Sequence, residues 1–243
     1  MTPSRYLFFY GASALFILWL GAGTGIDLAL ARSAFDSGSG TFPLRHAWLT
    51  EVFGHQILKH VLSALGGAVI LGLIIDALRP FARLPRCLRL RLRVVAWSAV
   101  LVPLTVTALK RASSTSCPWD LIEFGGTQAY AGLLQAALPG SVAGHCMPGG
   151  HAASAMWLAA LAVLWLPHRP RIAMAVGAGG LAVGMALGWL QQLRGAHFLT
   201  HTLWTAWIAC AIVGVLYWLL IARARNTDAI ISAYEVARHR HVP

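Results

Sequence analysis

Six apolar stretches divide this chain, and they limit its fold more than any other feature. They run Tyr6–Gly23, Ile57–Leu78, Val94–Leu109, Ala152–Leu166 (150–166 with its glycine entry), Ile172–Leu193 and Leu203–Ile221. About 20 mainly apolar residues make a helix long enough to cross a bilayer. The third and fourth stretches are short for that, so their helices are expected to run into the flanking residues. Only 11% of residues are charged and 58% are hydrophobic, against roughly 25% charged in a soluble domain. The expected fold is all-α, a polytopic membrane protein with six transmembrane helices in one bundle. Residues 1–243 then form a single integral membrane domain. No A-x-A-like cleavage site cleanly follows the first stretch, which is expected to be a retained helix and not a signal peptide.

The net charge of +11 raises the question of nucleic acid. The arginines instead follow the gaps between apolar stretches, and no segment mixes basic residues with exposed aromatics, so no nucleic-acid partner is expected. If the stretches cross alternately, thirteen Lys and Arg fall on one side and six on the other. The richer side should be cytoplasmic, with both termini there. The poorer side holds Arg32, Arg45, Lys59, Lys110, Arg111 and Arg194. Singly, a cation at a span end is commonly a snorkelling anchor. Lys110, Arg111 and Arg194 share one face beside unusual loops and call for a common reason. Residues 31–56 read as an outer loop with a Gly/Ser-rich tip, and residues 226–243 as a short interfacial helix.

Three outer segments carry the chemistry: "LKRASSTSCPWDL" after the third stretch, "HCMPGGHAA" entering the fourth, and "QQLRGAHFLTH" between the fifth and sixth. Together they hold Lys110, Arg111, Asp120, His151, Arg194, His197 and His201. Histidines among fixed cations suit an anionic substrate, with phosphate the obvious candidate. Gly149 and Gly150 before a helix start read as a backbone cradle for an anion, or simply as a helix-entry turn. One histidine can attack phosphorus while another protonates the leaving oxygen. His197 and His201, spaced i, i+4, are also open to a zinc reading. No H-E-x-x-H pattern or carboxylate-rich set supports that, and no metal or cofactor is expected.

These segments resemble the motifs of the type-2 phosphatidic acid phosphatase superfamily of membrane lipid phosphatases, related in fold to vanadium haloperoxidases. The family pattern is Lys, six residues, Arg-Pro; then Pro-Ser-Gly-His; then Arg, five residues, His, three residues, Asp. Lys110 with Cys117-Pro118, Pro148-Gly149-Gly150-His151 and His197 match its order and spacing. "CPWDL", "HCMPGGHAA" and "QLRGAHFLTH" look like a bacterial branch of that superfamily. The resemblance implies an acid phosphatase-like core, His197 as a nucleophile forming a phosphohistidine, and His151 as the general acid. Lys110, Arg194, Gly149, Gly150 and Gln191 would bind phosphate. It also implies a lipid phosphate or diphosphate substrate at the periplasmic face of a bacterial inner membrane.

This chain departs from the pattern at four places. Cys117 stands where the family has Arg, Gly149 where it has Ser, Gln191 where it has Arg, and His201 where it has Asp. Arg194 lies one helical turn from Gln191. Asp120 or Glu123 is expected to supply the missing carboxylate from another loop. A shifted register would make His201 the nucleophile. Of the four cysteines, Cys87 falls in the inner basic loop and Cys210 inside the sixth stretch, whereas Cys117 and Cys146 share the outer loops. An oxidising periplasm permits disulfides. A Cys117–Cys146 bridge is expected, two packed thiols being the alternative. Beside hydrolysis stand a lipid-to-lipid phosphotransferase, a transporter and an inactive family member.

Overall fold

A computed structural model describes residues 3–132 and 143–223. Among the described residues the regular elements are helices: α1 Pro3–Gly23, α2 Ile26–Ala34, α3 Leu49–Leu78, α4 Arg86–Ala112, α5 Gly150–Leu164, α6 Pro170–Leu193 and α7 Leu199–Ala222. Four of them, α3, α4, α6 and α7, are long and apolar enough to cross a membrane. A fifth span arises if α1 and α2, bent by 63°, count as one. The expected tail helix at 226–243 lies outside the described residues.

The core is built around α5, because its small residues let three neighbours approach. Ala152, Ala153, Met156, Trp157, Ala160 and Val163 are buried against Val94, Val95, Val102 and Val106 of α4 and Ile208 and Ala209 of α7. On α6, Gly180, Gly184 and Gly188 form a stripe with a four-residue repeat. A Cβ there would strike the Leu158 backbone, Met156 and Thr202 at 2.9 Å or less. Small residues at this spacing let membrane helices pack backbone to backbone. Large apolar side chains such as Leu7, Phe16, Leu71 and Leu104 stay on the outside, where a lipid-facing surface would put them.

Two expectations about the stretches are corrected and one holds. The second begins at Leu49, eight residues before Ile57, because a π-helical turn over Leu49–Ile57 carries the polar residues that interrupt the apolar run. The third does lengthen, to Arg86–Ala112. The fourth does not: it stops at Leu164, and Trp157–Leu164 belong to a 3-10 stretch. That winding rises about 2.0 Å per residue against 1.5 Å in an α-helix, so the short segment still reaches roughly 26 Å.

At the basic end, Arg89 holds Asp76 at 2.6 and 3.2 Å, and Arg91 donates to the Leu164 carbonyl at 2.8 Å. Those arginines tie α3, α4 and α5 together. At the other end, the bend after Gly23 turns α2 across the bundle, and residues 31–56 are mostly ordered structure and not a plain loop. Ala31, Phe42, Leu121, Phe124 and Phe198 make a second small core there. Asp27 reaches the N-terminus of α7: it accepts the Thr200 N–H at 3.1 Å and the Thr200 hydroxyl. A carboxylate in that position caps the helix and opposes its positive end.

Candidate active site

The three segments read from the sequence converge at one end of the bundle. The strand of chain after α4 runs beside the one before α5: the Gly144, His145 and Cys146 N–H groups donate to the Ser114, Ser113 and Thr115 carbonyls at 3.3, 3.2 and 3.0 Å. The Cys117–Cys146 disulfide then joins them covalently. Cys146 Sγ lies 3.1 Å from the Ala196 carbonyl oxygen and 3.5 Å from His197 Nδ1, so the bridge packs directly under the third segment. Cys117, Cys146 and His197 group their sulfurs and nitrogen within 4.8 Å, but sulfurs bonded to each other are not thiolate ligands.

The third segment is turned by Gly195, whose φ is +73°, and a Cβ on it would meet the Phe42 ring at 2.4 Å. A left-handed conformation costs a non-glycine residue roughly 1–2 kcal/mol, and overpacking about 1–3 kcal/mol. Gly195→Ala should therefore lower stability by about 2–5 kcal/mol. Thermal unfolding in detergent, compared with Gly179→Ala where a Cβ meets nothing within 4 Å, checks this. A Gly195→Ala protein that melts with the Gly179→Ala control refutes the clash.

The turn before α5 is stapled to α7. The Gly149 N–H donates to the His201 carbonyl at 3.0 Å, and the Thr205 hydroxyl contacts the Gly149 and His201 carbonyls at 3.2 and 2.9 Å. Gly149 thus spends its N–H on the protein, not on an anion. The expected cradle at this residue is corrected accordingly. Gly150 opens α5 with the Lys110 side chain alongside, 4.0 Å from where its Cβ would be.

His151, His197 and His201 meet at this junction. His197 Nδ1 is 3.4 Å from His201 Nδ1, and the His151 and His197 ring centroids are 6.4 Å apart. His197 and His201 are buried. Both ring nitrogens of His151 are buried without a hydrogen-bond partner among the described residues. Burial pushes the His197 imidazole well below the ordinary histidine range, and the neighbouring His201, Lys110 and His151 push the same way; a hydrogen bond to the backbone of Cys146 pulls against them.

The expected carboxylates are elsewhere. Asp120 accepts the Cys117 N–H at 3.3 Å and closes a short turn over Pro118–Asp120. Glu123 pairs with Arg32. Among the described residues no carboxylate hydrogen-bonds to His151, His197 or His201. Arg194 is buried, with Nε donating to the Arg45 carbonyl at 2.8 Å, NH1 to Gln191 Oε1 at 3.2 Å, and NH2 3.5 Å from Glu51 Oε1. Gln191 is fully buried, and its Nε2 has no partner among the described residues. Arg111 is exposed at the end of α4.

Sequence reasoning missed the wall that α3 contributes. His55 lies with its ring centroid 4.1 Å from that of His151. Glu51, His55 and Lys59 recur every fourth residue, a helical stripe visible in "EVFGHQILK".

A family model described as the PAP2 superfamily matches residues 91–225. The chain belongs to the PAP2 superfamily. No curated protein and no solved structure matches it. The PAP2 region starts inside α4 and takes in the Lys110, His151 and His197 segments, so α1, α2 and α3 with His55 lie outside it. Membership with this set of apolar helices makes the chain a membrane protein of phosphatase type.

The disulfide encloses a separation of 29 residues, for which chain-entropy scaling gives about 3–4 kcal/mol. Reducing it, or replacing Cys117 and Cys146 by serine, should lower the melting temperature and also the activity, since the bridge touches His197. Loss of stability with full activity retained in the surviving folded fraction contradicts the second half.

Proposed function

We propose that the protein is a metal-independent lipid phosphate phosphatase acting through a phosphohistidine. The observation that supports this best is the meeting of His151, His197, His201 and Lys110 from three separate segments, with no carboxylate hydrogen-bonded to the histidines among the described residues. A buried site of potential cations is costly unless an anion completes it. Phosphate does so, and Lys110 would hold its oxygens as charge develops in the transition state.

In the proposed cycle the unprotonated ring nitrogen of His197 attacks phosphorus, and the bond to the lipid oxygen breaks. His151 gives that oxygen a proton. Water then attacks the phosphohistidine, returns a proton to His151 and releases phosphate, so the enzyme ends as it began. The Arg asymmetry and the disulfide support an active site on the periplasmic side of a bacterial inner membrane, with six crossings and both termini inside.

The test is phosphate release by purified protein in detergent with EDTA, over undecaprenyl diphosphate, phosphatidylglycerol phosphate, phosphatidic acid and lipid A phosphate. An arm with an unphosphorylated acceptor lipid separates hydrolysis from phosphotransfer. Absence of release and of transfer across the panel rejects the reading.

Charge-assisted bonds contribute about 1.5–3 kcal/mol. Lys110→Ala should therefore slow turnover roughly ten- to a few hundredfold, at 1.4 kcal/mol per decade. Exposed Arg111→Ala should stay near wild type. A larger loss at Arg111 than at Lys110 shows that the wrong cation has been chosen.

A further inference from the structure

We propose that His55 contacts the substrate phosphate as a further binding residue of this site, supplied by a helix outside the region that matches the family. The proposal rests on the lipid phosphatase reading above. Its first support is position: the His55 ring lies over His151 at 4.1 Å with an interplanar angle of 35°. A ligand reaching the two unpartnered nitrogens of His151 comes within reach of His55.

The second support is the use made of the other groups. Glu51, one turn before His55, acts on it only through space and makes its direct contacts elsewhere. One Glu51 oxygen faces Arg194 at 3.5 Å and the other His46 Nδ1 at 3.0 Å. Arg194 was the natural candidate to grip phosphate, yet each of its three nitrogens already has a protein partner. Gly149 spends its N–H on His201. Cys117, in place of an arginine, is in the disulfide. Lys110 alone does not satisfy the phosphate oxygens, and α3 offers further donors in His55 and, one turn on, Lys59. The charges acting on His151 include both of these together with Lys110 and Arg194.

Two imidazolium ions this close repel, so both rings carry a proton only when an anion lies along their shared edge. Phosphate binding and His55 protonation are then one event. This separates a phosphate ligand from a ring that merely wedges His151 in place.

The experiment measures the dissociation constant of inorganic phosphate by ³¹P NMR titration of the purified full chain in detergent, beside KM and kcat on a lipid phosphate. His55→Ala is expected to weaken phosphate binding about tenfold or more and to raise KM by a similar factor, with a smaller fall in kcat. His55→Gln keeps an N–H donor and should recover part of the binding. His55→Phe keeps the stacked ring without a donor and should not. Phosphate affinity within twofold of wild type in His55→Ala overturns the proposal, and so does full recovery by His55→Phe. If wild type itself binds no phosphate and releases none from any lipid, the phosphatase reading falls with it. Normal wild-type turnover with unaffected His55 variants removes the His55 assignment alone.

Discussion

His197→Ala is expected to abolish turnover, by on the order of 10⁴-fold or more as for other lost nucleophiles, and to leave no acid-labile phosphoenzyme. A nucleophilic imidazole must arrive neutral, and burial holds His197 in that form far below the ordinary histidine range. Activity should therefore persist on the acid side until another group fails. The same shift makes a prediction about stability. The unfolded chain takes up this proton near pH 6.5, while the folded chain does not. The unfolded state then binds more protons, so stability falls as pH drops below about 6.5. The acid drop in melting temperature should shrink in His197→Ala. His201 Nδ1 is only 3.4 Å from His197 Nδ1, so the competing register needs its own test. Trapping with labelled lipid phosphate decides it: the label should vanish in His197→Ala and persist, more weakly, in His201→Ala. The reverse pattern transfers the nucleophile to His201.

The site was legible where one short segment carries its own chemical signature. "HCMPGGHAA" and "QLRGAHFLTH" announced themselves by polarity inside an apolar chain, and side-counting of arginines placed them with Lys110 on one face. The Cys117–Cys146 pairing followed from the same count and is present in the structure. What stayed hidden depends on distance along the chain or on a break in pattern. Asp27 and Thr200 are 173 residues apart, and no local rule links them. Asp120 looked available because only the fold shows its carboxylate closing a turn on Cys117. His55 fell outside the second apolar stretch because Glu51 and His55 depress the local hydropathy, although the helix continues through both. Their four-residue spacing with Lys59 was the readable signal. The length of α5 was misjudged for a different reason: a change in helical winding, invisible to composition, replaced the extra residues.

His151→Ala should show a loss that depends on the leaving group. A lipid alkoxide is a poor leaving group and needs its proton in the transition state, whereas p-nitrophenolate leaves well without one. General acid catalysis typically contributes 10²–10⁴-fold. The variant should lose about that much on a lipid phosphate and far less on p-nitrophenyl phosphate. It should still form phosphoenzyme with the latter. The geometry supports this division, since His151 stands 6.4 Å, ring to ring, from His197, far enough for a phosphoryl group between attacking nitrogen and departing oxygen. Its two ring nitrogens have no partner among the described residues, so the proton it donates is not held by a carboxylate. On the proposed mechanism the substrate dianion supplies the countercharge instead, and protonation accompanies binding. Because water attacking the phosphohistidine has to return a proton to the same ring, p-nitrophenyl phosphate should also expose the second half of the cycle. The first step is rescued and the second is not, so His151→Ala should accumulate phosphoenzyme where wild type does not. Equal loss on both substrates, with no accumulation, would remove His151 from proton transfer and leave it as a phosphate-binding group only.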